Sequence, residues 1–306
     1  MTALIECVPN FSEGRDRTLI DAIADAIAAP EVMLLDIHSD ADHHRTVYTF
    51  AGTPDAVEAA MLRAARIAVE RIDLTGHRGQ HPRIGAVDVI PFVPLEGITL
   101  HALAGRARTF ARHYAEATGV PVYLYEASAL RPGRVNLADI RRGGYEGLRE
   151  AVMTDPARAP DFGVARLGAA GATVIGARAP LIAFNAYLDS ADVTIARSIA
   201  RTIRESSGGL ACVRAIGVQV GGRAQVSINV IDFRRTSLYT IMRAVDEAAR
   251  QHGAAVVETE LVGLMPQAAL LQAGLEALRL PPQAVEKLLE RRLGAVTGNY
   301  REVVFE

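Results

Sequence analysis

The chain has 306 residues, 50% of them hydrophobic and 22% charged, with a formal net charge of −2. That length fits one large domain or two smaller ones, the balanced charge lacks the basic footprint of a nucleic-acid partner, and no apolar run is long enough for a membrane span. The opening Met1-Thr2-Ala3-Leu4-Ile5-Glu6-Cys7 has neither the basic nor the apolar region of a secretory signal. Two cysteines, Cys7 and Cys212, can build neither a disulfide framework nor a Cys-rich zinc site. The expectation is a soluble cytoplasmic protein whose function resides in a local site.

Taken in chain order, Ala3 to Val8 reads as a strand and Pro9 to Gly14 as a turn. The apolar spacing of Leu19, Ile20, Ile23, Ala24 and Ile27 predicts a helix. Val32 to Ile37 and Arg45 to Ala51 alternate as strands. Thr53-Pro54-Asp55 is a helix start, with a capping hydroxyl, a first-turn proline and an acid at the positive dipole end; that helix runs to Ile72. Ala86 to Pro94 is a strand in which Pro91 predicts an edge or a bulge. A helix, Thr99 to Thr118, and a strand, Val120 to Tyr125, follow. Ala127 to Arg178 reads as largely irregular, with short helical stretches near Leu137 and Tyr145.

The second half repeats the order. Leu181 to Leu188 is a strand, Asp192 to Glu205 a helix, and Val213 to Val220 and Arg223 to Asp232 are strands joined by Gly221-Gly222, a hairpin turn tolerant of positive φ. Ser237 to Gln251 is a helix and Ala255 to Val262 a strand. Two helices, Pro266 to Leu280 and Pro282 to Leu293, come last. The expected class is α+β: two ferredoxin-like (βαββαβ) subdomains, 1–178 and 179–306, packed around a central cleft.

Five of the eight histidines fall between residues 38 and 81. In Asp36-Ile37-His38-Ser39-Asp40-Ala41-Asp42-His43-His44-Arg45, carboxylates and imidazoles alternate closely enough to suggest a zinc or manganese site, or simply a polar or substrate-contacting loop. The second cluster is Gly76-His77-Arg78-Gly79-Gln80-His81-Pro82-Arg83-Ile84-Gly85. Pro82 restrains His81 toward extended geometry, and imidazole is the side chain suited to exchange protons near neutral pH. Cys7 and Cys212 read as small core side chains. No nucleophile elbow, P-loop or His-Glu-x-x-His helix is present.

Glu6-Cys7-Val8-Pro9-Asn10-Phe11-Ser12-Glu13-Gly14 resembles the opening of the glutamate formimidoyltransferase family, the transferase part of formimidoyltransferase-cyclodeaminase. The likeness continues through Arg45 to Phe50, His81 to Val89, Val120 to Tyr125, Pro160 to Gly163, Gly171 to Arg178, Leu181 to Asn185 and Leu261 to Leu264. It implies transfer of a formimidoyl group from N-formimidoyl-L-glutamate to tetrahydrofolate, the co-substrate, in histidine breakdown, by a homodimer. Because the nucleophile is a neutral amine, metal activation of water has no task and no metal is expected. The family's general base falls on His81. Its folate-contacting stretches fall near Gly163, Gly168 and Gly171, and near Gly208, Ile216 and Gly217. Animal members carry glutamate where Gln80 stands, aspartate where His38 stands, and a longer segment near Gly168 to Gly171. The chain ends at Glu306 without room for a cyclodeaminase domain, so ammonia release is expected of a separate enzyme.

The chemistry asks for more than a base. The protonated amidine calls for a carboxylate, Asp36 or Asp40, and the substrates' glutamate carboxylates call for arginine, with Arg45, Arg83 and Arg178 as candidates and Asn10 as a further substrate contact. Rival readings are an N-formylglutamate-dependent formyltransferase, a metal-dependent hydrolase built on Asp36 to His44, and a non-catalytic sensor of folate or an amino acid.

Overall fold

The computed structural model describes residues 2–298. By its internal contacts the chain forms two compact units. One holds the residues through Leu181 with Gln219–Gly222 and Leu261–Leu264; the other holds Ile182–Val218, Arg223–Glu260 and the described residues from Met265 on. Among the described residues no helix is long and apolar enough to cross a membrane.

The first sheet begins with an interrupted strand, β1 (Leu4–Cys7) and β2 (Asn10–Phe11). Helix α1 (Arg17–Ile27) follows, then the hairpin of β3 (Val32–Asp40) and β4 (Arg45–Gly52), helix α2 (Pro54–Arg71) and strand β5 (Val87–Glu96). The caps read in the sequence are made: Thr53 accepts from the Ala56 N–H, and Asp16 caps α1 by accepting from Leu19. The β1/β2 segment lies between β4 and β5 and pairs antiparallel with both. Beyond β5 come α3 (Leu100–Thr118), β6 (Val122–Leu124), α4 (Leu137–Ile140), α5 (Gly144–Thr154) and β7 (Thr173–Ala177). β7 pairs parallel with both β5 and β6.

Three expectations change here. The stretch Ala127 to Arg178 is not merely irregular, because it ends in β7, a strand buried along its whole length. Pro91 does not mark an edge, since β5 is interior. It sits opposite the break at Val8 and Pro9, where its carbonyl accepts from Val8 and no ladder donor is missed. β3 continues three residues past Ile37, so the acidic histidine segment is a strand end and tight turn.

The second sheet is built from β8 (Ile182–Leu188), α6 (Val193–Ile203), β9 (Val213–Val220), β10 (Arg223–Val230), α7 (Leu238–Gln251) and β11 (Val256–Val262), in strand order β11-β8-β10-β9. Asp192 and Ser237 cap its two helices. α8 (Gln267–Leu278) follows, and the last predicted helix divides into a 3-10 turn, Pro282–Lys287, and α9 (Leu289–Thr297). Each sheet has its own apolar core: Phe11, Tyr48, Phe50, Ile90 and Phe92 in the first, Ile199, Val226, Ile228 and Ile241 in the second.

Candidate active site

The register of β2, β3 and β4 decides which side chains can meet. Tyr48 points toward α1, its hydroxyl donating to the Ile20 carbonyl at 2.8 Å, with the Phe11 ring edge-on against it. Side chains alternate along a strand, and directly paired residues share a face. The pairs Asp36–Thr49, His38–Val47, Asp40–Arg45 and Asn10–Val47 therefore lie on the face turned away from α1. Four residues nominated from sequence, Asn10, Asp36, Asp40 and Arg45, share that face.

At the end of this face, the turn after β3 and the loop before β5 are laced together. Gln80 N–H donates to the Asp42 carbonyl (3.0 Å) and His81 N–H to that of His43 (3.4 Å). His44 places Nδ1 against the Arg78 carbonyl oxygen and Nε2 against the Glu13 carboxylate, each at 3.1 Å. The approach is close enough that a Cβ on Gly79 would lie 2.4 Å from the His43 carbonyl oxygen, so this position requires glycine.

His77 is the buried post of this assembly. Its Nδ1 accepts from Arg83 Nε (3.0 Å), its Nε2 donates to the His44 carbonyl (3.1 Å), and its ring stacks on His44 with centroids 4.1 Å apart. Burial first, then the His44 and Arg83 charges, push its pKa down to about 4. Arg83 is committed to this scaffold through a bidentate bridge to Glu146 at 2.8 and 3.1 Å, which holds that carboxyl near 2.

His81 Nε2 is buried without a hydrogen-bond partner, as are His43 Nδ1 and Arg141 Nε near it. Burial, then the charges of Arg45 and Arg141, hold the His81 pKa well below the ordinary histidine value. That environment favours the neutral ring. Beside it, at 6.4 Å between centroids and edge-to-face, is His43. Asp40 holds His43 by accepting from its backbone N–H (2.8 Å) and pairing with Nδ1 (2.9 Å). The His43 side chain is the main cause that holds the Asp40 carboxyl far below its usual range.

The structure does not gather every nominated residue. Arg178 N–H donates to the Phe92 carbonyl, five residues along β5 from Val87, about 17 Å beyond the strand end that the His81 loop enters. Its charge acts on Glu6 and Tyr125 there. Gly171 and Gly217 are filled by the chain itself: a Cβ on Gly171 would meet the Ile84 carbonyl oxygen at 2.1 Å, and one on Gly217 the Arg197 nitrogen at 2.3 Å. Gly168 and Gly208 face open space, Gly163 abuts Pro121, and Ile216 is exposed.

Sequence reasoning passed over His43 as a partner of His81, and also Asp88 and Arg141. Asp88 is buried, accepts from the Ile84 N–H at 2.7 Å and pairs with Arg141, locking the His81 loop to α4. Four-residue spacing from Ile84 was a usable signal for Asp88; one arginine among many gave none for Arg141. In the Asp36 to His44 cluster, as elsewhere among the described residues, no three His, Cys, Asp or Glu side chains are placed to hold a metal ion.

A desolvated imidazole among arginines in an α+β fold has the elements of an acid–base site. The N-terminal subdomain of the formiminotransferase domain matches residues 4–178, and the formiminotransferase domain matches residues 183–279. A glutamate formimidoyltransferase of Streptococcus pyogenes is 42% identical over 89% of this chain and 92% of its own length. One from Thermoplasma acidophilum is 40% identical over 95% and 97%. A formimidoyltransferase-cyclodeaminase of Sus scrofa is 44% identical over 89% of this chain and 52% of its own length. This chain belongs to the formiminotransferase family.

Proposed function

We propose that this enzyme transfers the formimidoyl group of N-formimidoyl-L-glutamate to N5 of tetrahydrofolate, giving 5-formimidoyltetrahydrofolate and L-glutamate. The observation that carries the reading is His81, a neutral imidazole with a buried, unpartnered Nε2 beside Arg45 and Arg141; membership of the family supports it.

N5 attacks the amidine carbon and must lose a proton as the new C–N bond forms. His81 accepts that proton at Nε2, whose lone pair the neutral ring leaves available. Collapse breaks the bond to the glutamate nitrogen, which leaves as an amine after gaining a proton. Arg45 faces the base and suits a carboxylate of the donor. Asp36 and Asp40 share the Arg45 face, where negative charge stabilises the amidinium. Arg83 serves as scaffold for His77, and Arg178 has no part at this strand end. For the folate, the segments around Gly163, Gly168, Gly208 and Ile216 remain the contacting stretches in this reading, whereas Gly171 and Gly217 serve packing.

The architecture goes with this assignment. Each unit carries β-α-β-β-α-β order, and the second sheet's sequence β11-β8-β10-β9 is the strand order of a ferredoxin-like fold. The first sheet has the same order, β5, β1/β2, β4, β3, extended by β7 and β6. In this reading the subdomains divide at residues 178 and 179, in the link between β7 and β8.

The test is turnover of N-formimidoyl-L-glutamate with tetrahydrofolate by the purified full-length chain, followed by absorbance, with N-formyl-L-glutamate in parallel. The formimidoyl donor should turn over at least tenfold faster. Equal or better use of the formyl donor would make this a formyltransferase, and no turnover of either would overturn the assignment.

A further inference from the structure

Formimidoyl transfer moves two protons: one leaves the attacking nitrogen and one reaches the departing nitrogen. One imidazole can perform both in turn, yet the site holds several imidazoles, and their partners sort them. His44 has both ring nitrogens occupied, by Arg78 and Glu13, and so does His77, by Arg83 and the His44 carbonyl. Neither can donate to a substrate without dismantling the scaffold.

His43 is placed differently. It is a buried residue whose Nδ1 lies 2.9 Å from Asp40, and among the described residues no hydrogen bond occupies its other ring nitrogen. A carboxylate against one ring nitrogen fixes the tautomer and orientation of the imidazole and supports it when it carries a proton. His81 is placed differently, buried with the charges of Arg45 and Arg141 acting on it, which favours the neutral ring. Two imidazoles with different partners in one site suit a separate acid and base. The charged and titratable groups around the pair are Asp40 from β3, Arg45 from β4, His77 from the loop and Arg141 from the end of α4.

The two rings lie edge to face with centroids 6.4 Å apart, near enough for both to address one reacting centre approached from the same side.

We propose that the site divides its proton transfers between two imidazoles: His81 accepts from the attacking folate nitrogen, and His43, seated on Asp40, donates to the departing glutamate nitrogen. The C–N bond to N5 forms as His81 takes the proton; the C–N bond to glutamate breaks as His43 supplies one. Each turnover leaves His81 protonated and His43 neutral, and exchange with solvent resets both. No oxidant or further reactant is needed. The proposal rests on the formimidoyl-transfer reading.

The test uses the full-length enzyme with N-formimidoyl-L-glutamate carrying ¹⁵N at the leaving nitrogen. His43→Asn should lower kcat by about 10²-fold, the lower end of general-acid effects, with KM within about threefold of the parent. Its ¹⁵N isotope effect should exceed the parent's, because unassisted C–N cleavage becomes rate-limiting. Asp40→Asn, which keeps the side chain's shape, should show the same rise with a loss of about tenfold; it carries the test by itself if His43→Asn misfolds. His81→Ala should lose turnover without that rise, because nitrogen attack then limits. Loss of kcat in the His43 and Asp40 variants with the parent's isotope effect, or a loss under threefold, would overturn the role of His43 while the transfer reaction stands. A parent inert toward the donor would overturn the transfer reading and this proposal with it.

Discussion

The hairpins at corresponding places in the two sheets solve the same turn with different residues. Between β9 and β10 the chain reverses through Gly221 and Gly222, at φ of 55° and 76°, values that glycine adopts without steric cost. Between β3 and β4 it reverses through Ala41 to His44, and His44 itself takes φ of 51°. A histidine in the left-handed region costs about 1–2 kcal/mol relative to glycine, and here its ring is tied to Arg78 and Glu13 and stacked on His77. One turn is made by conformational freedom, the other by contacts. Only the turn between β3 and β4 has side chains to spend on a neighbouring loop.

Breaking the tie between that loop and α4 should have the largest effect on stability. Asp88→Ala leaves the partly buried Arg141 without its partner and the Ile84 N–H without an acceptor. Loss of one member of a buried pair costs about 3–5 kcal/mol. Denaturant unfolding should show that loss, and a change under 1 kcal/mol would mean the pair does not hold the loop.

Gly171→Ala comes next. Its φ of 71°, and the Ile84 carbonyl oxygen only 2.1 Å from where the new Cβ would sit, give a cost of about 3 kcal/mol, strain and crowding together. The fraction that folds should bind tetrahydrofolate as the parent does. Weakened affinity in fully folded protein would return Gly171 to the binding site.

Acid sharpens the contrast between the turns, because only one of them is built on histidines. His77 and His81 have folded-state pKa values below the unfolded one, so the unfolded chain binds more protons as pH falls below about 6.5. The stability they contribute is present above that pH and is lost progressively toward about 4, the His77 value. Thermal melts across this window should fall with acid, and His77→Gln should flatten the slope. The base form of His81 persists in the same window, so turnover corrected for folded protein should not decline at pH 6.5. A decline centred there would place the base in an ordinary histidine environment.

The smallest expected effect marks what the two sheets share. Asp16 and Asp192 cap α1 and α6, each the first helix of its sheet. Replacing either with Ala should cost about 1 kcal/mol, and the two losses should match within about 0.5 kcal/mol, read from denaturant midpoints.

What was legible in the sequence follows the range of the interactions. Caps, helix periodicity and the Gly221-Gly222 turn are local, and α2, β9 and the hairpin fall where the pattern places them. β7 was missed because Thr173–Ala177 lies in a glycine-rich stretch whose glycines answer to distant partners: a Cβ on Gly176 would strike the Tyr125 carbonyl oxygen at 2.3 Å. The site shows the same division. His81 stood out by its loop, and Asp40 and Arg45 by their cluster. The pairing of His43 with His81, and of Asp88 with Arg141, needs the register of residues 38–53 apart, which no window of sequence contains.

The most direct test of the central claim is the single turnover of N-formimidoyl-L-glutamate and tetrahydrofolate by His81→Ala against the parent at pH 7. The account predicts a variant that folds, binds tetrahydrofolate within a few-fold of the parent, and transfers the group 10²–10⁴-fold more slowly, the usual worth of a general base. A variant that keeps more than about a third of parental turnover, far above what base removal allows, would contradict it.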